Sequence, residues 1–445
     1  MAPQRTKQAR KAAFAAFIGT AIEWYDFYIY AFSVTLVFNV LFFPEGTDRL
    51  TAIAAGFGAA AVGFFARPLG AVVFGHIGDR FGRRPALVLT LSIMGAATFL
   101  IGVLPTYASV GVMAPILLVV LRFLQGLAVG GEWGGAVLMS VEHADERKKT
   151  FYGSFTQLGN PAGALMATSL LSLLIGITGE EGYLDFAWRI PFLLSALLVI
   201  VGFVVRWTVE ESPVFETETA ALKAQAVRQR APLVDALRRN WRTLLLGIGA
   251  LPVAVGGYYL TTTFATTYAT DPSVGLPEIL ILNALSVASI VELCATVLFG
   301  WLGDRIGRKT VIISGSILVA VLGIPMFLTL GGGNVALIFV MFALMRFAMS
   351  ATYGPMATAM SQMFRPLARY TSISVAYQAA GAIFGGLSPI AATLMFQATG
   401  SIWPIIGLLA GMCALGAICL AAAPQYVDDV DETMGAVGVR QRTTQ

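Results

Sequence analysis

A charged loop occurs twice in this chain, half a chain length apart, and each copy lies between long apolar segments. The segment from Gly75 to Arg84, GHIGDRFGRR, returns from Gly300 to Lys309 as GWLGDRIGRK, an offset of 225 in 445 residues. The sequence RFLQG from Arg122 likewise matches RFAMS from Arg346, at an offset of 224. Duplicated bundles of membrane helices are typical of transporters in which two halves move about a central site. The repeat therefore predicts a solute carrier.

The composition supports a chain that lies mostly in a bilayer. Hydrophobic residues make up 57% of the sequence and charged residues only 12%, whereas soluble domains average about 25% charged residues. About twelve apolar runs reach the length of ~20 residues that a membrane-spanning helix needs. We therefore predict an all-α integral membrane protein of twelve transmembrane helices in two parallel-repeat halves. These are an amino-terminal half at 1–209, a linker at 210–242, a carboxy-terminal half at 243–423 and a tail at 424–445.

The basic residues predict the orientation. Lysine and arginine concentrate in the amino-terminal tail, the two repeated loops and the linker, while Arg49 and Arg189 are the clear cases in the alternate loops. Because cytoplasmic loops carry the excess of basic residues, both termini, the linker and the tail are expected in the cytoplasm and the protein in the inner membrane. In the linker, Leu233, Val234 and Leu237 recur at helical spacing, which predicts an amphipathic tether on the membrane surface.

The sequence gives little support to a catalytic protein. The three cysteines lie in predicted spans, the two histidines lie near loops, and no metal-ligand spacing is present. A phosphate-binding loop and a nucleophile elbow are absent as well. We therefore expect no metal, no cofactor and no nucleic-acid partner. The first apolar run is too long for a signal-peptide core and is expected to be retained.

The repeated loop predicts a gate at the cytoplasmic end. Asp79 and Asp304 each stand where a carboxylate can cap a neighbouring helix amino terminus or pair with arginine. Such a contact would hold the two halves together in one state and break in another. The alternative is that these charges only anchor the loop among the lipid headgroups. The predicted gate residues are Asp79, Arg80, Arg83, Glu142, Asp304, Arg305 and Arg308.

Several motifs resemble those of the major facilitator superfamily. The repeated loop follows that superfamily's pattern Gly-x-x-x-Asp-Arg-x-Gly-Arg-Arg. EWYDFY from Glu23, ARPLG from Ala66, RFLQGLAVGGEWGG from Arg122 and ESP from Glu211 resemble the metabolite–proton symporter branch. That branch includes shikimate, citrate, 2-oxoglutarate and proline/betaine carriers. The resemblance covers nearly the whole chain and implies alternating access with proton-coupled uptake of a small organic acid or zwitterion.

The chain also departs from these relatives. Gln362 stands where they often carry glutamate, so the second-half gate is expected to rely more on Asp304. The tail has no sustained heptads, which disfavours the osmotic regulation of members with a coiled-coil tail. The fifth span keeps only a fragment of the glycine-proline pattern of drug antiporters, which disfavours drug export.

Ionisable residues inside the bilayer are functional candidates because their burial is costly. Glu23 and Asp26 share a helix face, and with Glu132 they are the predicted proton-coupling residues. Arg122 is the expected counter-ion of Asp26, and protonation of Asp26 would free it to hold a substrate carboxylate. The alternative is a permanent ion pair that only ties two helices together.

The position of the other intramembrane polar residues within the spans predicts their roles. Glu292 and Arg346 are expected to form a structural pair, and Arg67 to extend toward the headgroups. Substrate contacts are predicted from both halves, with packing as the alternative for the neutral side chains. These residues are Arg122, Gln157, Asn160, Tyr258, Tyr259, Thr262 and Gln378.

The sequence thus predicts a monomeric carrier that imports a small carboxylate or zwitterionic metabolite by proton symport. Its expected partners are the metabolite, protons and the lipid bilayer. A uniporter or exchanger of the same fold, a transporter-derived sensor and a membrane-embedded enzyme are the alternatives. Vesicle transport separates them, because a sensor would bind ligand without accumulating it.

Overall fold

The computed structural model describes residues 2–81, 83–130, 132, 137, 148–207, 241–364, 369–431 and 436–441. Side chains at 75–88 lie outside this description, as do Glu142 and the linker at 208–240. The predictions for Asp79, Arg80, Arg83, Glu142 and the linker helix therefore fall outside the described part of the chain.

Twelve apolar helices occupy the predicted spans, in agreement with the expected all-α membrane fold. Within the described residues, nine are long and apolar enough to cross a membrane, and three are shorter (α3, α4 and α6). The helices are α1 (Ala16–Leu41), α2 (Arg49–Phe74), α3 (Arg83–Gly102), α4 (Met113–Val129), α5 (Lys149–Ala187), α6 (Arg189–Trp207), α7 (Trp241–Ala269), α8 (Glu278–Ile306), α9 (Arg308–Gly332), α10 (Val335–Met363), α11 (Ser372–Thr399) and α12 (Trp403–Ala422).

The outer surface of the bundle is apolar, as a lipid-facing surface requires. Ile177 is 72% exposed, and Ile418 is 68% exposed. The buried interior, by contrast, contains charged and hydroxyl side chains such as Asp26, Arg122 and Arg346. A soluble protein has the opposite distribution, with polar side chains outside and apolar side chains inside. In a lipid bilayer, polar side chains face one another within the helix bundle because the hydrocarbon cannot solvate them.

Helices α2 and α4 approach so closely that their backbones touch. A Cβ atom on Gly126 would lie 1.9 Å from the carbonyl oxygen of Gly63, and one on Gly70 would lie 1.9 Å from that of Leu127. Gly126 and Gly130 are four residues apart, the spacing of small-residue membrane helix pairs. This packing brings Arg67 of α2 and Arg122 of α4 to the same region of the amino-terminal half.

Within the described residues, widened π-helical turns interrupt four of the long helices. They lie at Val34–Phe38 in α1, at Tyr183–Ala187 in α5, at Val253–Gly257 and Leu260–Phe264 in α7, and at Gly381–Gly386 in α11. Such turns often mark functional sites, because they redirect side chains without ending the helix. Those in α7 stand on either side of Tyr258 and Tyr259.

The tail departs from the helical pattern. Its described residues form antiparallel strands β1 (Tyr426–Asp431) and β2 (Ala436–Gln441), with Tyr426 opposite Gln441. This hairpin follows α12.

Candidate functional site

A small cavity in the amino-terminal half brings together most of that half's predicted charges. Its volume is about 20 Å³, and its polar lining comes from Glu23, Asp26, Arg67, Arg122 and Gln125. A cavity of this size holds little more than one water molecule. The cavity is therefore too small to hold a metabolite in this conformation.

Arg122 and Asp26 are connected through two intervening side chains. The Nη1 of Arg122 donates to Oε1 of Gln125 at 2.8 Å, and Nε2 of Gln125 donates to the hydroxyl of Thr98 at 2.5 Å. Thr98 in turn contacts Oδ2 of Asp26 at 2.9 Å. The sequence predicted a direct ion pair between Asp26 and Arg122, and the structure has this chain of hydrogen bonds in its place.

The position of the Arg122 guanidinium explains why the direct pair does not form. The guanidinium lies 3.8 Å from the centre of the Tyr30 ring and 5.1 Å from that of Phe27. Stacking on an aromatic face stabilises a buried cation. It holds the guanidinium of Arg122 against the Tyr30 ring of α1 and away from the carboxylate of Asp26. Oδ1 of Asp26 and Nε of Arg122 have no hydrogen-bond partner within the described structure.

Thr98 can satisfy Asp26 in both of its protonation states. Its hydroxyl lies 2.9 Å from Asp26 and 3.0 Å from the carbonyl oxygen of Met94. A hydroxyl has one proton to donate and two lone pairs. An ionised Asp26 therefore accepts the proton of Thr98. A protonated Asp26 donates to Thr98, which then donates to Met94 while still accepting from Gln125.

The carboxy-terminal half contains a related arrangement. Arg346 lies 3.8 Å from the centre of the Tyr258 ring, as Arg122 does over Tyr30. Here a carboxylate lies next to the arginine, with Arg346 Nη1 3.7 Å from Oε2 of Glu292. The hydroxyl of Tyr258 donates to the same oxygen at 3.2 Å. The predicted contact between Glu292 and Arg346 is therefore present, fully buried in the bundle.

The three amide side chains among the predicted substrate contacts form hydrogen bonds with other helices in the buried interior. Asn160 accepts from the hydroxyl of Tyr28 at 3.0 Å. Gln157 donates to the carbonyl oxygen of Tyr353 at 3.1 Å, and Gln378 donates to that of Gly130 at 3.0 Å. The last two bonds run between the halves, so these glutamines lie at the interface that alternating access would open.

The hydroxyls of Tyr258 and Thr262 in α7 have different hydrogen-bond partners, because that of Tyr258 donates to Glu292. Thr262 donates to the carbonyl oxygen of Tyr258 one turn earlier at 2.8 Å, a common local bond for threonine in a helix. Tyr259 packs its ring against Phe27 and Phe64. Substrate contact by Tyr258, Tyr259 and Thr262 therefore stays a prediction. Glu132, the third predicted proton site, is only 3% exposed.

The sequence did not predict that Arg67 lines the cavity. It was expected to extend toward the headgroups, yet it is 6% exposed and lines the cavity. Its guanidinium lies 4.4 Å from the centre of the Phe64 ring and 5.3 Å from that of Phe27. The prediction was wrong because aromatic stacking in the interior replaces contact with the headgroups. The repeat contained a signal, since the offset of 225 aligns Arg67 with the buried Glu292.

At the end of the bundle that carries the repeated loop, Asp304 caps a helix of the other half. Oδ1 of Asp304 accepts from the backbone nitrogen of Thr150 at 3.2 Å, and Oδ2 accepts from that of Phe151 at 3.0 Å. Arg308 donates to the hydroxyl of Thr150 at 2.6 Å. The capping contact predicted for Asp304 is thus present at the start of α5. Arg305 instead lies over Trp301 of its own helix, at 4.9 Å.

The opposite end is also closed by polar contacts between the halves. Arg49 is 3.7 Å from Asp271 and donates to Thr270 at 2.9 Å. Gln397 donates to Asp48 at 3.2 Å. The backbone N–H of Thr51 donates to Asp48 and lowers the pKa of that carboxyl below its usual value. Among the described residues, the two halves are therefore in contact at both ends of the bundle.

Comparison with known proteins identifies the family. The profile described as Major Facilitator Superfamily matches residues 16–386 and, in a second overlapping match, 246–433. The chain belongs to the major facilitator superfamily. It is 40% identical in sequence to the shikimate transporter of Escherichia coli, in an alignment that covers 92% of this chain and 93% of that protein. The proline/betaine transporter of Salmonella typhimurium is 34% identical over 91% of this chain and 83% of that protein.

The inner membrane metabolite transport protein YhjE of Escherichia coli is 38% identical over 90% of this superfamily member and 92% of its own length. Among solved structures, the proton:xylose symporter XylE has the same fold, with a TM-score of 0.73 over 94% of this chain and 95% of that chain at 19% identity. The superfamily expected from the motifs is therefore confirmed, and the relatives are transporters rather than enzymes.

Proposed function

We propose that this superfamily member is a proton symporter that imports a small carboxylate or zwitterionic metabolite by alternating access. The observation that carries the proposal is the buried chain from Arg122 through Gln125 and Thr98 to Asp26. It connects a group that can exchange a proton to a group that can bind an anion.

The chemistry of this chain supports coupling. Neutralising a buried carboxylate leaves a nearby buried cation without compensation, which favours binding of an anion in its place. Protonation of Asp26 therefore favours a substrate carboxylate at Arg122, and loss of that proton disfavours it. Thr98 accommodates both states without leaving Asp26 unsatisfied, because its proton can turn to Met94.

The relatives support the class of substrate. Proteins named as shikimate and proline/betaine transporters move a small acid and small zwitterions, and both are more than 30% identical to this chain. In this proposal the interface residues Gln157, Asn160, Gln378, Tyr258 and Tyr259 contact the substrate once the halves separate. Thr262 also contacts the substrate if the hydrogen bond from its hydroxyl to the carbonyl oxygen of Tyr258 breaks.

Alternation between the two sides uses the contacts at the two ends. Breaking the cap that Asp304 makes on α5 opens the end of the repeated loop, and breaking the contact between Arg49 and Asp271 opens the other. Following the positive-inside rule, we place the repeated loops and both termini in the cytoplasm. The relatives' location and the single-chain site support an inner-membrane monomer.

The test is uptake of labelled organic acids and betaines into proteoliposomes, with and without an inward proton gradient. Symport predicts accumulation that depends on the gradient. Asp26→Asn is expected to abolish accumulation and retain counterflow exchange, whereas Asp185→Asn, at an exposed position, serves as the matched control. Equal uptake without a gradient would favour a uniporter, and saturable binding without flux a sensor. Undiminished accumulation by Asp26→Asn would remove Asp26 from the mechanism.

A further inference from the structure

Glu292 and Arg346 form a buried ion pair whose polar atoms are incompletely bonded. Glu292 is fully buried, and Arg346 is 1% exposed. Arg346 Nη1 and Glu292 Oε2 are 3.7 Å apart, which is too far for a hydrogen bond. Within the described structure, Oε1 of Glu292 and both Nη atoms of Arg346 have no hydrogen-bond partner. Buried polar atoms without partners are costly, so this pair is suited to a ligand that supplies them.

The pair lies next to the interface between the two halves. Oε2 of Glu292 accepts from the hydroxyl of Tyr258 at 3.2 Å, and the guanidinium of Arg346 lies 3.8 Å from the centre of the Tyr258 ring. The centre of this ring is 5.8 Å from that of Tyr28 in α1, and Tyr28 donates to Asn160 of α5 at 3.0 Å. Tyr258 therefore contacts both Glu292 and the other half. Separation of the halves removes Tyr28 from Tyr258 and opens the way to Glu292.

The two arginines that match in the repeat differ in their hydrogen bonds. Arg122 and Arg346 are related by the offset of 224, and each lies 3.8 Å from the centre of a tyrosine ring. Arg122 is connected to Asp26 by the chain of hydrogen bonds through Gln125. Arg346 has its carboxylate directly beside it, yet neither Nη atom donates a hydrogen bond in the described structure. The carboxylate of the carboxy-terminal half thus has an oxygen available to a ligand.

We propose that Glu292 accepts a hydrogen bond from a hydroxyl or N–H group of the substrate, while the substrate carboxylate lies at Arg122. The inference rests on the proposed function, because it assigns a second contact to the same substrate. An ionised carboxylate can only accept hydrogen bonds, so Oε1 of Glu292 requires a donor. Arg346 is a positioning residue, because its guanidinium compensates the charge of Glu292 and holds it beside the interface.

The proposal predicts selection for acids that also carry a hydrogen-bond donor. A buried site that hydrogen-bonds a substrate hydroxyl discriminates strongly against an analogue without it, because the oxygen of the protein is then left without a partner. Glu292 should therefore increase the affinity for a hydroxy acid or an amino acid. It should contribute nothing to the binding of an acid whose ring is only hydrocarbon.

The experiment compares two matched pairs of ligands. Binding to the purified full-length protein is measured by ligand-induced change in Tm, together with proteoliposome uptake. Shikimate and cyclohexenecarboxylate share a ring and a carboxylate and differ in the hydroxyl groups. L-proline and cyclopentanecarboxylate differ in the nitrogen and its N–H donors. A preference within the first pair identifies a hydroxyl as the donor, and a preference within the second identifies an N–H group.

The variants remove one charge or both charges of the ion pair. Glu292→Gln removes the carboxylate charge, and a double variant combines Glu292→Met with Arg346→Met. Replacing a buried ion pair by apolar residues of similar volume is often neutral for stability, so the double variant decides if Glu292→Gln does not fold. Glu181→Gln is the matched control, because Glu181 is exposed near the end of α5. Its affinity ratios should equal those of the unmodified protein.

We expect Glu292→Gln to lower the affinity ratio within at least one pair about tenfold or more, and the double variant to remove the preference. Unchanged ratios, including an equal fall for both members of a pair, would overturn the inference. An unmodified protein without a preference for either donor would overturn it as well, and gradient-driven uptake in that protein would leave proton symport standing. A Glu292-dependent preference without gradient-driven uptake would contradict proton symport and support this inference.

Discussion

Thr98 lies 2.9 Å from Asp26, so that a hydroxyl is the direct hydrogen-bond partner of this buried carboxylate. The arrangement separates the proton site from the cation by two side chains, and it makes Thr98 the link between them. A direct ion pair would be strongest when both groups are charged. A hydroxyl link can instead reverse its direction when Asp26 gains a proton.

Replacing Thr98 by valine should therefore uncouple transport. Valine has nearly the same shape, but it removes the hydroxyl that contacts both Asp26 and Gln125. Because a hydrogen bond to a charged group contributes about 1.5–3 kcal/mol, we expect gradient-driven accumulation to fall about tenfold or more. Counterflow exchange should persist. Thr98→Ser restores the hydroxyl and should recover accumulation, and a serine variant as defective as the valine variant would contradict the link.

Replacing Asp304 by alanine should open the end of the bundle at the repeated loop. Asp304 accepts two backbone hydrogen bonds at the start of α5, where a negative charge is also favoured by the helix dipole. The readout is thiol labelling of Ser154→Cys, since Ser154 packs against Gly300 between the halves at that end. Labelling should increase several-fold in the Asp304→Ala background. Asp271→Ala, at the opposite end, should not increase it.

The sequence predicted the fold, the pair of Glu292 with Arg346 and the cap made by Asp304, but not the contacts of Arg122 and Arg67. Apolar runs and the repeated loop define twelve helices and two halves, because a bilayer restricts a spanning chain to few structures. The stacking of Arg122 on Tyr30, in place of a pair with Asp26, depends on how α1 and α4 are rotated toward each other. Helical spacing shows which residues share one face of a helix. A single sequence contains little information on how two helices are rotated toward each other. Arg67 was missed for the same reason.

Substituting alanine for Gly126 should destabilise the amino-terminal half. The added methyl group would meet the carbonyl oxygen of Gly63 at 1.9 Å, so α2 and α4 must separate. Overpacking of this kind costs about 1–3 kcal/mol, and we expect a lower Tm and reduced transport. Gly407→Ala is the matched control, because no atom lies within 4 Å of the position its methyl group would occupy. Equal Tm values for the two variants would contradict direct backbone contact between α2 and α4.

Asp48 should contribute nothing to the pH dependence of transport near neutrality. The N–H and hydroxyl of Thr51 both donate to it at 2.9 Å, and the backbone bond holds its pKa below the ordinary value. Such a group stabilises the fold above the ordinary pKa of about 4, and this contribution is lost only as the pH falls through the lowered pKa. Asp48 is therefore ionised throughout uptake assays at about pH 5 to 8. Asp48→Asn should keep the pH profile of the initial uptake rate, even where it loosens the contact with Gln397, whereas Asp26→Asn should flatten it. A profile displaced by Asp48→Asn would show that the contacts at this end, and not the buried site alone, respond to protons.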